Sequence, residues 1–207
     1  QMMRVDTETT ADLGYEDENR LILALQTFIA QEKPDVIILE DYNKGVLTEL
    51  VIKKTIELCK HHGIITAVDP KRKNFFAYTG VDIFKPNLKE VKDALNIIAS
   101  GTDVAALNDI HEKLKAQLHH HISFITLSEK GVFYKNGEES AILPSHIRNI
   151  ADVSGAGDTV IATAALVYAA TKNTNLMAAV SNIAGGLVCE EVGTAAINKE
   201  RLLKECV

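Results

Sequence analysis

Apolar positions along this chain alternate between two periods, which predicts a succession of helices and short buried strands. Leu21, Leu25 and Phe28 recur at helical spacing within residues 18–31. Asp35 to Leu39, after Pro34, is an apolar run of strand length. Thr48 to His61 returns to helical spacing, and Gly63 stands where a left-handed cap would end that helix. Ile64–Val68 and Val81–Phe84 are the next strand-like runs, closing in Asp69-Pro70-Lys71 and Lys85-Pro86-Asn87. Helices are expected over Leu88–Ile98 and from about Asp103 to Leu118, then a strand over Ile122–Leu127. Val132–Tyr134 and Ser140–Leu143, joined around Asn136-Gly137, read as a hairpin. Two apolar helices, Thr159–Thr171 and Leu176–Val188, and a short helix after Asn198 complete the pattern.

Short apolar strands alternating with helices imply βαβ units, hence a mostly parallel sheet covered on both faces in one α/β domain over residues 1–207. Ligands of such sheets collect beyond the carboxyl ends of the strands. The segments to inspect are therefore Glu40 to Gly45, Asp69-Pro70-Lys71, Lys85-Pro86-Asn87 and Ser128 to Gly131, all of them polar. Bulk composition narrows the function classes. A net charge of −6 argues against a nucleic-acid or anionic-membrane surface, and no apolar run reaches the roughly 18 residues of a membrane span. Three cysteines without CxxC spacing point to a reducing, cytoplasmic setting. All seven histidines are read as non-catalytic. His119, His120 and His121 are consecutive and would point in different directions on a helix, while His61 and His62 suit the negative end of one.

Asp152-Val153-Ser154-Gly155-Ala156-Gly157-Asp158 carries the most chemistry. Its glycines allow a sharp turn, and the helix that follows adds unpaired N–H groups and a positive dipole end, so the loop is an anion cradle with a carboxylate at its lip. A dinucleotide fingerprint would need a third glycine where Val160 stands, and no G-x-x-x-x-G-K-[ST] phosphate loop occurs. Taken alone, the segment could be a tight helix-start turn in which Asp158 stabilises the first turn.

Asp152 to Ala165 resembles the second signature of the pfkB (ribokinase-like) carbohydrate kinases, with Thr163 where that pattern usually has Ala or Gly. Other matches lie in the family's order. Asp69-Pro70-Lys71 resembles its D-P-[K/R] element, and Asn87 to Glu90 its N-x-x-E element. Thr126 to Gly131 resembles the nucleotide-contacting T-x-[G/S]-x-x-G turn, and Ser181 to Gly186 the late helix whose Asn lies by the adenine. Within the family the chain is similar to the kinases acting on D-glycero-D-manno-heptose 7-phosphate, on the strength of Arg4-Val5-Asp6, Asp41 to Gly45 and Ser154 to Ile161.

The resemblance implies a ribokinase-like three-layer α/β/α fold and transfer of the ATP γ-phosphate to the anomeric hydroxyl, giving heptose 1,7-bisphosphate for ADP-heptose and lipopolysaccharide core synthesis. It implies Asp158 as base, with the amides of Gly155, Ala156 and Gly157 stabilising the transferring group. Asn87, Glu90, Lys71, Thr126, Ser128, Gly131 and Asn182 would serve ATP, and Asn87 and Glu90 would order Mg²⁺ through its waters. Asn87-x-x-Glu90 is also a plain capping box, and Lys71 a plain loop lysine. Lys44 and Asp41 would face the sugar, although Asp41 could merely start a turn. Asn182 could equally be a buried asparagine that satisfies helix ends. The partners implied are ATP and a sugar phosphate, with a lid-mediated homodimer open for the parent. The resemblance covers the later part of the family's domain, so the expectation is a fragment with the ATP half and the base. It would lack the N-terminal strands, the glycine-rich sugar segment and the β lid, with Arg4-Val5-Asp6 on the strand or crossover returning from that lid.

Overall fold

Strands β1 (Val36–Glu40), β2 (Ile65–Asp69), β3 (Ile83–Phe84) and β4 (Ile122–Thr126) lie side by side in parallel, with Glu40 opposite Asp69 and Phe84 opposite Ser123. β5 (Val132–Asn136) and β6 (Glu139–Leu143) extend the sheet antiparallel in the order β1-β2-β3-β4-β5-β6. The computed structural model describes residues 8–98, 101–146 and 148–206. Arg4-Val5-Asp6 therefore lies outside the described residues. Helices α1 (Tyr15–Glu32), α2 (Glu49–His62), α3 (Leu88–Leu95), α4 (Val104–Leu118), α5 (Ala156–Thr171), α6 (Thr174–Val188) and α7 (Lys199–Glu205) fall close to the expected ranges. Among the described residues, no helix is long and apolar enough to cross a membrane.

Strand alternation divides the core. Val68, Phe84, Ile125 and Phe133 face Ile52 and Ile56 of α2, Val91 of α3 and Leu107, Ile110 and Leu114 of α4. Ala67, Ile83, Phe124 and Tyr134 face the opposite way, against Val160, Ile161, Ala164 and Ala165 of α5 and Met177 and Ala178 of α6. Two helical layers thus sandwich the sheet, the three-layer arrangement expected of such βαβ units.

Two expectations are corrected here. On α1 the docking positions are Leu25 and Ile29, packed on Cys59 and Leu58 of α2 and on Ile37 and Ile64, whereas Leu21 and Phe28 are exposed. Both stripes obey helical spacing, so only the partner's position selects between them. α3 stops at Leu95 rather than Ile98 because Asn96 turns left-handed (φ 53°) and its N–H closes on the Lys92 carbonyl.

His120 and His121 do not continue the helix; His119 ends α4 in a left-handed cap. His120 instead points inward, and with His111 it brackets the Ser123 hydroxyl at 2.6 and 2.8 Å, all three fully buried. Burial lowers His111 to about 4; Lys115 and Lys135 add to that, and Glu112 opposes it. Burial, His111, Lys115 and His121 lower His120 to about 3. Both rings are neutral in the folded protein, while the unfolded chain takes up protons as pH falls through about 6.5. Their contribution to stability is thus intact above that pH and is lost toward pH 4 and 3. Urea unfolding between pH 6 and 4 checks this: His120→Leu should flatten the acid-side loss by about 1.4 kcal/mol per pH unit relative to the native chain. Parallel curves would show that His120 does not titrate as described.

Candidate active site

The carboxyl ends of β1, β2 and β3 bring Glu40, Asp69 and Lys85 together beneath the start of α5. Lys85 is 3% exposed, and its Nζ lies 2.9 Å from Asp69 Oδ2, itself buried. A buried ammonium this short of water requires a paired anion, and Asp69 supplies it. The other Asp69 oxygen takes Lys71 Nζ at 3.3 Å, and Lys71 reaches on to Glu90 Oε1 at 3.0 Å. Glu90 in turn completes the capping box of α3: its Oε2 accepts the Asn87 N–H, and Asn87 Oδ1 accepts the Glu90 N–H, both at 2.8 Å. Asp69, Lys71, Glu90 and Asn87 therefore form one connected chain. The capping box and the placement beside the lysines hold together.

α5 begins directly over this chain. Gly155 supplies a left-handed residue (φ 77°) that redirects the backbone into the helix. At Gly157 a Cβ would lie only 3.6 Å from Asp69 Oδ2 and 3.9 Å from Lys85 Nζ, so the first turn passes over the ion pair. Asp152 holds the loop from behind. Its Oδ1 accepts the Ser154 N–H and hydroxyl at 2.9 and 2.8 Å, its Oδ2 accepts the Gly193 N–H at 3.2 Å, and these bonds keep its carboxyl below the usual range. The Ala156 N–H closes on the Val153 carbonyl at 3.3 Å, a long bond that a stronger acceptor could take over.

Asp158 stands at the lip, where ligand oxygens of Glu40, Asp69 and Asp158 all lie within 4.8 Å of one another. Burial, then Asp69 and Asp158, push Glu40 up to about 8, with Lys85 pulling the other way. Burial and the neighbouring Asp158 carboxylate push the Tyr42 phenol up to about 12. Sequence reasoning singled out none of Glu40, Asp69, Tyr42, Lys85 or Asp152 as a site residue. They stand within the flagged segments, but only the folded chain shows that they meet.

The expected nucleotide-side residues gather beyond β4. The Thr126 N–H bonds the Pro86 carbonyl at 3.1 Å, joining this strand end to the Asn87 corner. Ser128 begins the following turn in a left-handed conformation (φ 55°). At Gly131 (φ 95°) a Cβ would fall 2.0 Å from the Leu143 carbonyl oxygen, so no larger residue fits. Asn182 Nδ2 donates to the Pro144 carbonyl at 2.9 Å, tying α6 to the segment after β6; that carbonyl is not a helix end, and Asn182 is not fully buried. On the sugar side, Asp41 is buried. Its Oδ2 accepts the Tyr78 hydroxyl at 2.7 Å and its Oδ1 the Asn43 N–H at 2.7 Å, so it builds the turn after β1. Lys44 is exposed and pairs with Glu8 at 2.5 Å. A surface cavity of about 690 Å³ between α2 and residues 72–80, lined by Lys53, Lys60, Arg72 and Phe76 among others, contains none of these groups.

Residues 6–201 match the pfkB carbohydrate kinases, and the chain belongs to that family. The bifunctional protein HldE of Syntrophotalea carbinolica is 36% identical over 204 residues, 98% of this chain and 41% of its own length. That of Methylobacillus flagellatus is 38% identical over 208 residues, 99% of this chain and 41% of its own. The chain thus spans about two fifths of the length of these relatives. Among solved structures, phosphofructokinase-2 of Escherichia coli in complex with potassium superposes with a TM-score of 0.79 at 17% identity, over 93% of this chain and 62% of that one. Ribokinase of Arabidopsis thaliana, complexed with ribose and ATP, gives 0.72 at 16% identity, over 93% and 59%. These likenesses establish the ribokinase-like α/β fold.

Removing one partner of a buried ion pair strands the other charge. Asp69 keeps Lys71 if Lys85 is lost, whereas Lys85 has only Asp69, so Asp69→Asn should lower stability by about 3 kcal/mol and Lys85→Met/Asp69→Asn should recover part of that loss. Urea unfolding at pH 7 measures both; a single variant as stable as the native chain would mean that the pair is not what holds these strand ends.

Proposed function

We propose that this chain is the nucleotide-binding and base-carrying part of an ATP-dependent sugar kinase whose acceptor is D-glycero-D-manno-heptose 7-phosphate. The observation that carries the reading is the meeting of Asp158, at the start of a helix opened by Gly155, with the Lys85–Asp69–Lys71–Glu90 chain at the carboxyl ends of the sheet. Phosphoryl transfer asks for positioning and charge stabilisation rather than covalent help, and this arrangement offers both.

In this reading the anomeric hydroxyl gives its proton to Asp158 as its oxygen bonds to the γ-phosphorus. The bond from that phosphorus to the β,γ-bridging oxygen breaks, and ADP leaves. The amides of Gly155, Ala156 and Gly157 face the charge on the equatorial oxygens. Lys71, with a third of its side chain exposed, is free to turn from Asp69 and Glu90 toward a phosphate, whereas Lys85 is committed to Asp69. Both Glu90 oxygens already have partners, so Asn87 and Glu90 fit an outer-shell role and would hold Mg²⁺ through its waters. When bound, that ion neutralises phosphate charge. Thr126, Ser128, Gly131 and Asn182 are assigned to the nucleotide, and Lys44 and Asp41 to the sugar side, Asp41 through the turn it builds. The heptose assignment rests on the likeness of Asp41 to Gly45 and of Ser154 to Ile161.

ADP release measured on a longer chain containing these residues, across heptose 7-phosphate, fructose 6-phosphate, ribose and adenosine, should favour the first. Preference for any of the others would remove the heptose assignment. In the same assay Asp158→Asn should lower kcat by about a hundredfold to ten-thousandfold while sparing ATP affinity, and near-normal turnover would take Asp158 out of the mechanism. Because the chain spans about two fifths of its relatives, a second reading is a module that binds MgATP without turnover. Calorimetry with MgATP beside a turnover assay of these 207 residues separates the two.

A further inference from the structure

Charges do not balance at the lip of the site. Asp69 has two lysines, Lys85 from the end of β3 and Lys71 from the end of its own strand, and Lys71 is shared with Glu90. Glu40, at the end of β1, and Asp158, at the start of α5, have no salt-bridge cation among the described residues, although their oxygens and those of Asp69 lie within 4.8 Å of one another. Glu40 is half-buried, and the groups facing it are Asp69, Asp158 and the already committed Lys85. Two carboxylates this close, one of them withdrawn from water, do not both stay ionised without a cation.

We propose that Glu40 carries a proton at neutral pH and donates it as a hydrogen bond to the Asp158 carboxylate, so that the two act as one monoanion and Glu40 is a positioning residue for the base. The Tyr42 phenol, two residues further along the same turn, is set against Asp158 from the exposed side, and Asp41, buried between the two in sequence, fixes that turn. Asp158 is thereby held from the β1 end, and the site carries one negative charge fewer where a polyphosphate is to approach. The assignment of Asp158 as base rests on the proposed kinase reaction; the shared proton does not.

The sign of the effect is opposite to that of the buried histidines. A carboxyl whose folded pKa is raised stabilises the fold below its unfolded value, and that stability is lost as pH rises through the folded one. The Glu40 contribution to the stability of this 207-residue protein should therefore fall as pH rises from about 4.5 to about 8 and level off above that, and Glu40→Gln, which mimics the protonated form, should abolish the fall. A ¹³C carboxyl titration should place Glu40 near pH 8, well above the exposed glutamates. Titration of Glu40 among those glutamates, or parallel stability curves for the two proteins, overturns the proposal. So does a loss of the high titration step in millimolar Mg²⁺, which would make the cluster a cation site. In a longer, active chain Glu40→Ala should lower kcat at least about tenfold with KM for ATP unchanged. Glu40→Gln, which keeps a donor, should recover most of that loss but alter the pH profile near pH 8, a readout that a purely structural role would not move. If the titration holds while no sugar is phosphorylated, the kinase reading fails and the shared proton stands.

Discussion

The buried pair of Asp69 and Lys85 is the constraint on which the rest of the site depends. An ammonium 3% exposed beneath the first turn of α5 has no water to fall back on, so its single carboxylate partner must be held in place. That requirement fixes the ends of β2 and β3 relative to each other. It also sets how α5 arrives: Gly157 passes within van der Waals reach of both charged groups, and a larger side chain there would stand between them and anything bound above. Lys71 then has only one free Asp69 oxygen to engage, and its reach to Glu90 links the sheet to the cap of α3.

From this anchor the site acquires its electrical character. Four carboxylates (Glu40, Asp69, Glu90, Asp158) surround two lysines, an excess of negative charge exactly opposite in sign to what a phosphate site would be built from if formal charges alone mattered. In the proposed kinase reading, backbone amides at the start of α5, the partly exposed Lys71 and a proton on Glu40 are the means by which such a site accepts a polyphosphate while keeping a base beside it. The carboxylate at the lip of the Gly-Ala-Gly-Asp loop is thus one member of a graded set, in which burial and pairing differ from one oxygen to the next.

The loops around the anchor are held by one left-handed glycine and by short polar side chains that bond the backbone. Gly131 allows the turn after β4 to touch the Leu143 carbonyl, Asn182 bonds the next carbonyl in that segment, and Asp152 collects three donors to shape the loop before α5. Each uses a short polar side chain or none, which suits surfaces that must lie close to a ligand.

Much of this was legible in the chain. Helical and strand periodicities, Gly63, the Asn87–Glu90 box and the polar segments at strand ends follow from local chemistry, and the ordered motifs identify the family. Asp158 was visible because its motif is contiguous. The meeting of Glu40 at the end of β1, Tyr42 just after it, Asp69 at the end of β2 and Lys85 after β3 was not, because these residues belong to three different strand ends, and a charged residue after a strand carries no mark of its partner. The choice of Leu25 and Ile29 over Leu21 and Phe28 as the docking stripe of α1 likewise needed the position of α2. The sequence by itself therefore determined the elements, their order and the family. Tertiary structure alone decided which charges meet, since pairing and desolvation depend on distances between segments that local pattern does not contain.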